Sequence, residues 1–398
     1  MNYTVSDNMK QMKPSIIREI LKYSGTPGMV SFAAGNPSSE TFPTETILNI
    51  ATQVLQNEPS SVLQYSVSEG YPPLRAEVKR WLDDDYGISS DGYDLLITSG
   101  AQQSLDLITK VLCNRGDVIL AERPSFVGAL NCFRSYGVKL CDVPMEPDGM
   151  DLAVLEEQII AHKPKFLYVI PNFQNPTGYT TSLKKRRGIL EICKKYNVPI
   201  VEDNPYGDLR FAGEAVPSIK SLDNGGNQVI YLGSFSKILA PGIRVGYVLA
   251  PKEIFGALTV GKQCTDVHTT ALSQVICHRF LTETDMKAHV EKLCNVYRRK
   301  ANLMMDQIKQ KCGDKLQFVP VEGGLFLWAT LPQHIDMMAF CEEAVKRGVA
   351  MVPGNALFCD DSAPCSSVRL NYSTPSDEDI VKGVDIIATL LKEKCNEV

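Results

Sequence analysis

The sequence predicts an α/β protein: a large domain on a mostly parallel, seven-stranded sheet covered by helices, joined to a smaller α+β domain. Three observations carry this. From about residue 93, seven short β-branched runs alternate with amphipathic stretches, the spacing of strand–helix–strand units. After Ala271 the alternation gives way to a long helical region and then to short strands mixed with helices. A chain of 398 residues, 44% apolar, can bury one large core and part of a second.

The elements follow in order. Ser15–Tyr23, Thr44–Asn57 and Pro73–Tyr86 carry helical spacing but bring no sheet of their own, which places the first part of this segment with the small domain or a dimer interface. Asp94–Thr98, Val118–Ala121, Lys139–Val143, Phe166–Ile170, Pro199–Val201, Val229–Leu232 and Val245–Ala250 read as strands. Ala101–Asn114, Leu152–His162 and Leu183–Tyr196 read as helices between them. Tyr136-Gly137-Val138 and Tyr196-Asn197-Val198 read as helix ends closed by a left-handed residue before a new strand. From Ala271 to about Lys311 apolar residues recur at helical spacing, Leu293, Tyr297, Ala301, Met304 and Ile308 among them. Strands follow at Leu316–Pro320, Leu325–Thr330, Ala350–Val352 and Ser367–Tyr372, with a helix near Met337–Arg347. A final helix opens on Ser376-Asp377-Glu378-Asp379, a capped, acidic start. The expected boundaries are residues 1–45 for the N-terminal segment, 46–285 for the large domain and 286–398 for the small one.

Composition excludes several classes. Lys plus Arg number 41 and Asp plus Glu 46, a net charge of −5, so no basic excess exists to neutralise nucleic-acid phosphates. No run nears the roughly 18 apolar residues of a spanning helix. Met1–Lys13 lacks the apolar stretch of a signal peptide, so a cytoplasmic protein is expected. The 12 cysteines form no C-x-x-C pair, and Cys113, Cys193, Cys277 and Cys341 lie in apolar contexts where a thiol acts as a small hydrophobe. His268, His278 and His289 have no metal-site spacing, and no metal is expected. Gly256-Ala-Leu-Thr-Val-Gly261-Lys262 matches a phosphate-loop pattern, but Gln263 stands where Ser or Thr is needed and a helical pattern precedes it.

The informative residues lie on loops that follow strands, and in an open α/β sheet such ends converge on one crevice. Thr98-Ser99-Gly100-Ala101-Gln102 opens a helix and offers N–H groups to an anion. Asn172-Phe173-Gln174-Asn175-Pro176-Thr177-Gly178 is a rigid turn bearing amides. Glu202-Asp203-Asn204-Pro205-Tyr206 sets an acid and a phenol past another strand. Gly233-Ser234-Phe235-Ser236-Lys237 is followed by Gly242-Ile243-Arg244-Val245-Gly246. Each has an ordinary explanation alone: a turn, a helix cap or a surface lysine. Together they supply what pyridoxal phosphate demands: a lysine for a Schiff base, a carboxylate for the ring nitrogen, donors to the ring oxygen and an anion cradle. Lys237, Asp203, the pair Asn175 and Tyr206, and the group Ser99, Ala101, Gln102, Ser234, Ser236 and Arg244 fill these parts in turn.

With these motifs the sequence resembles the class I/II aminotransferases of pyridoxal-phosphate fold type I, over nearly the whole chain. Ile17-Arg18-Glu19-Ile20-Leu21-Lys22, Ser31-Phe32-Ala33-Ala34-Gly35-Asn36-Pro37, Leu63-Gln64-Tyr65-Ser66 and Lys262-Gln263 are similar to the branch of 2-aminoadipate and kynurenine aminotransferases and MocR-like regulators. The resemblance implies pyridoxal 5'-phosphate held covalently by Lys237, with Asp203 at the ring nitrogen and Asn175 and Tyr206 at the ring oxygen. It implies that Phe126 stacks on the ring in place of a common tyrosine and that Ser99, Gly100, Ala101 and Gln102 hold the phosphate. Ala101 stands where relatives often carry Ser or Thr, leaving its backbone N–H to serve. Arg369 would grip the substrate α-carboxylate beside Gly35, and Tyr65 would reach the phosphate of the neighbouring subunit in a homodimer.

The activity implied is ping-pong transfer of an amino group to a 2-oxo acid, 2-oxoglutarate being the expected acceptor. A lyase or decarboxylase on the same scaffold is the alternative, but a clamped α-carboxylate fits reversible transamination better. A ligand-sensing MocR-like module needs a DNA-binding domain ahead of it, and thirteen residues before Pro14 leave no room for one. In related enzymes an arginine on a mobile N-terminal segment meets the distal end of acidic side chains. At Arg18 this implies acidic substrates with the arginine turned in and aromatic or leucine-like ones with it turned out. The plainer reading of Arg18 is a surface arginine paired with Glu19 or Glu45.

Overall fold

Runs of β-branched and aromatic residues bounded by turn residues form the strands, and their burial on both faces demands helices above and below. The computed structural model describes residues 3–10, 12, 28–223 and 225–396. After a short β1 (Val30–Ser31) come β2 (Tyr93–Thr98), β3 (Val118–Arg123), β4 (Lys139–Glu146), β5 (Gly149–Met150), β6 (Phe166–Val169), β7 (Ile200–Asp203), β8 (Val229–Ser234) and β9 (Gly246–Pro251). The last eight form one sheet in the order β2-β9-β8-β7-β6-β3-β4-β5. β4, β3, β6, β7 and β8 run parallel, while β9 is antiparallel to both β2 and β8. The sheet thus has one strand more than the seven expected. β5 turns straight back onto β4 through Pro147–Asp148, too short a piece to show a strand pattern.

One face of this sheet carries Ala121, Tyr168, Val201 and Leu232, and merges with a core that runs on to Leu293, Tyr297 and Leu391. The other face carries Leu120, Leu167 and Ile200 under the helices Leu152–His162 and Leu183–Lys195. Beside these, Leu95, Ile97 and Leu249 lie under the helices Thr44–Asn57, Pro72–Tyr86 and Ala271–Glu283. Each fully buried Leu, Ile or Phe contributes roughly 1.5–3 kcal/mol, so these faces hold the sheet.

The C-terminal part has its own antiparallel sheet, β10 (Gln317–Phe318), β11 (Phe326–Thr330), β13 (Val352–Pro353) and β14 (Ser367–Asn371), in the order β10-β11-β14-β13. β12 (Val349–Ala350) pairs in parallel with β1, so residues 30–31 are stitched to the C-terminal part. The single strand expected over Ala350–Val352 is therefore two, divided at Met351 between different sheets. The helical region from Ala271 is also two helices. They break at Thr284, and Asp285 caps the second, Met286–Cys312, through Ala288 N–H. Ser376 caps the final helix by accepting from Asp379 N–H at 3.1 Å, and Gly137 and Asn197 are left-handed, as their sequence contexts predict. Gly256–Lys262 lies inside the helix Lys252–Thr265. Among the described residues no helix is long and apolar enough to cross a membrane.

Candidate active site

β2 and β8 both run antiparallel to β9, hence parallel to each other, so the C-terminal ends of β2, β6, β7 and β8 share one edge of the sheet. The chemistry-bearing loops leave from these ends. Asp203 closes β7 and is 3% exposed. Its Oδ2 accepts from the Tyr168 hydroxyl at 2.8 Å, and its Oδ1 has no partner among the described residues. Burial pushes the carboxyl up to about 7, against which the Tyr168 bond acts.

Lys237 sits in the turn after β8, and its Nζ donates to the Gly35 carbonyl at 2.9 Å. Burial, then the positive charges of Arg369 and Arg244, bring the ammonium down to about 8. Nζ lies 6.0 Å from the centre of the Tyr206 ring. Arg369 comes from β14, buried over the face of Phe326, with Cζ 4.5 Å from the ring centre. It donates to Asn175 Oδ1 at 3.0 Å and to the Ala33 carbonyl at 2.6 Å, while its Nε has no partner among the described residues. Burial pushes the Tyr206 phenol up, and the nearby Asn175 amide acts against that push. The backbone of Ala33–Gly35 therefore receives both basic side chains, one from each sheet.

A second group adjoins Lys237 through the chain. Arg244, in the left-handed region at φ 55°, donates to the Ser99 carbonyl at 3.2 Å and lies 3.5 Å from Ser236 Oγ. Ser234 Oγ accepts from Ser236 N–H at 3.1 Å. Gly100 precedes the helix Ala101–Leu112, whose first turn no side chain caps. A Cβ at Gly100 would lie 2.5 Å from the Arg244 guanidinium, and one at Gly246 would lie 2.7 Å from Ala101 N. At Gly246 the close neighbour is backbone, and Gly100 has φ 83°, so both positions favour glycine.

Other expected residues are placed differently. The Ser99 hydroxyl donates to Asp266 Oδ2 at 2.9 Å, in a cluster where the fully buried Lys262 bonds Asp266, Gln103 and Thr269. Gln102 donates to the Gly128 carbonyl beside the half-buried Phe126. Tyr65 stands apart, 80% exposed, against the edge of His268. Arg18 lies outside the described residues.

Sequence reasoning missed several residues. Tyr168 touches Asp203, Phe326 backs Arg369, and Glu122 is buried with its carboxyl pushed up to about 8 by that burial. Glu122 accepts from Gln174 at 3.0 Å, and Gln174 also donates to the Pro124 carbonyl, tying the Phe126 loop to the Asn175 turn. The available signal was a polar atom inside an otherwise apolar strand: Tyr168 in Phe166–Ile170, and Glu122 directly after Val118–Ala121.

The arrangement fits pyridoxal phosphate on its own geometry. A buried carboxylate oxygen lacking a donor suits a cationic ring N–H. An uncapped helix start, two close-approach glycines and an arginine suit a phosphate. A lysine of lowered proton affinity suits attachment to a carbonyl.

Residues 27–387 match the family profile of aminotransferase class I and II. The chain is 39% identical over 394 residues to aromatic-amino-acid aminotransferase 1 of Thermococcus litoralis, across 98% of this chain and 94% of that protein. It is 38% identical over 384 residues to the 2-aminoadipate transaminase of Thermus thermophilus, across 96% and 95%. A crystal structure of the α-aminoadipate aminotransferase of Thermus thermophilus, complexed with N-(5'-phosphopyridoxyl)-L-leucine, superposes with a TM-score of 0.91 at 36% identity, covering 99% of this chain and 98% of that one. The chain belongs to the class I and II aminotransferases, and it is an enzyme that transaminates amino acids with pyridoxal phosphate as its cofactor.

Proposed function

We propose that this enzyme accepts two kinds of amino donor, acidic ones such as 2-aminoadipate or glutamate and aromatic or leucine-like ones, and passes the amino group to 2-oxoglutarate. The observation that carries this reading is that the chain is similar over nearly its whole length both to a protein named for aromatic amino acids and to one named for 2-aminoadipate, with the buried Arg369 offering an Nε that has no partner among the described residues. When bound, the cofactor supplies an electrophilic carbon and a ring that takes up the electrons released at the substrate Cα. The chain supplies the rest. Arg369 would bind the α-carboxylate with Asn175 beside it, and Asn175 and Tyr206 would hydrogen-bond the ring oxygen. Asp203 Oδ1 would hold a proton on the ring nitrogen. Lys237 Nζ would attach the cofactor and would move the proton at Cα, a task favoured by its lowered proton affinity. Gly100, the N–H groups of Ala101 and Gln102, Ser234, Ser236 and Arg244 would take the phosphate, the Ser99 carbonyl holding Arg244 in place, and Phe126 would stack on the ring.

Arg18 tests the substrate range. The ratio of kcat/KM for 2-aminoadipate over that for leucine is expected to fall about 10- to 100-fold in Arg18→Ala, the loss of a charged hydrogen bond. An unchanged ratio would leave the acidic-substrate claim without support.

The reading includes a homodimer with shared sites, in the cytoplasm. Its support is the exposure of Leu48, Leu63, Tyr65 and Val67, at 63%, 72%, 80% and 50%, in one stretch of sequence. The twelve cysteines stand as unpaired thiols, which accords with a reducing compartment. Because Arg244 bonds within its own chain to the segment bearing Lys237, the complementary pair is Lys237→Ala with Tyr65→Ala. Mixed dimers of these two inactive chains are expected to regain about half of wild-type activity, one intact site of the two. No recovery in verified heterodimers would mean that each site is built from one chain.

A further inference from the structure

Tyr168 lies in the middle of β6, wholly buried, in register with Val201 two residues before Asp203. In parallel strands this sets Tyr168 and Asp203 on the same face of the sheet. The Tyr168 ring is wedged edge-on against Phe133, centroids 5.4 Å apart at 79°, so its hydroxyl has little freedom. That hydroxyl is, among the described residues, the donor that Asp203 accepts from, and it engages Oδ2 alone. The terminal torsion of an aspartate is broad, so a buried carboxylate with no donor has no fixed orientation.

We propose that Tyr168 is a positioning residue for the amino-transfer reaction: its hydroxyl pins Oδ2 of Asp203, which leaves Oδ1 turned to the cofactor ring and favours the charged carboxylate. The inference rests on Asp203 being the carboxylate that meets the ring nitrogen. Two further observations support it. Burial and the neighbouring Asp203 carboxylate hold the Tyr168 phenol well above its ordinary range, so it stays a donor at every working pH. Its bond is also the influence that opposes the upward push of burial on Asp203. The other titratable groups acting on the Tyr168 phenol are Glu122 from β3 and Tyr206 after β7, and neither bonds it.

Tyr168→Phe removes the one oxygen and keeps the ring against Phe133. The variant is expected to lose about tenfold in kcat with KM for the amino donor unchanged, the scale of a hydrogen bond to a charged group. The acid limb of its kcat profile is expected to move up by about one pH unit. Cofactor affinity, measured by fluorescence titration of the apoprotein, is expected to weaken about tenfold. In an Asp203→Asn background the same substitution is expected to change cofactor affinity less than twofold, since the group it positions is gone. A Tyr168→Phe enzyme with unchanged cofactor affinity and acid limb, while Asp203→Asn is impaired, overturns the inference and leaves the role of Asp203 standing. An unimpaired Asp203→Asn enzyme overturns both. Equal losses from Tyr168→Phe in the two backgrounds would reduce Tyr168 to a packing residue and also overturn the inference.

Discussion

Lys237→Ala is expected to lower kcat by at least about 10³-fold, because it removes both the covalent attachment and the group that moves the proton at Cα. Borohydride should fix the cofactor to the wild-type chain at Lys237 and fail to fix it to the variant. A covalent adduct persisting in Lys237→Ala would place the attachment elsewhere. The environment of the lysine adds a second expectation. The neutral amine is the nucleophile, and burial with two nearby arginines brings it down to about 8. The rate of cofactor attachment to the apoprotein should therefore climb with pH and level off above about 8. An ordinary lysine would still be climbing near pH 10. Substituting Arg369 or Arg244 would confound binding, so stopped-flow attachment to the wild-type apoprotein across pH is the cleaner measurement.

The second large effect is at Asp203. Asp203→Ala should retain some cofactor through Lys237 and the phosphate cradle, yet lose about 10²- to 10³-fold in kcat, since it removes the carboxylate proposed to keep the ring nitrogen protonated. Near wild-type turnover would assign that part to another residue. The same carboxyl also predicts a pH dependence of stability. In the folded apoprotein it is pushed up to about 7 from an ordinary 3.8. Between these values the folded chain binds more protons than the unfolded one, so the contribution of Asp203 to stability falls as pH rises from about 4 to about 7. Glu122, pushed up to about 8, adds a fall of the same sign. Asp203→Asn should therefore shift the change in apoprotein Tm between pH 5 and pH 7 toward a smaller fall, against the opposite trend that burial of His278 and His289 supplies. Cofactor brings a cationic partner to Oδ1, so it should raise Tm more at pH 7 than at pH 5.

Much of the fold was legible because strands and helices differ in hydrophobic period, and the period is a local property. Thr44–Asn57 and Leu152–His162 could be read to the residue, and Asp94–Thr98 to within one. Errors fell where local pattern is silent. β5 is two residues long, and nothing in Gly149–Met150 distinguishes an edge strand from a turn. Val349–Pro353 reads as one run, but its two halves pair with β1 and with β14, partners distant in the chain. The break at Thr284–Asp285 was signalled by a capping aspartate that helical spacing on either side concealed.

By itself the sequence determined that this is an α/β chain with polar loops after its strands, and it singled out Lys237, Asp203, Asn175, Tyr206, Arg244 and Arg369 as the candidates for its chemistry. Loop composition and residue type are written along the chain, and the topology of a parallel sheet then brings strand ends together. Tertiary structure alone decided how these groups are held. Tyr168 takes one oxygen of Asp203 and leaves the other open. The carbonyls of Ala33–Gly35 receive both Lys237 and Arg369, and the Ser99 hydroxyl turns to Asp266 while its carbonyl turns to Arg244. These pairings join residues tens to hundreds of positions apart. They depend on which way a side chain points once neighbouring strands are in register, and no local pattern of residues encodes that.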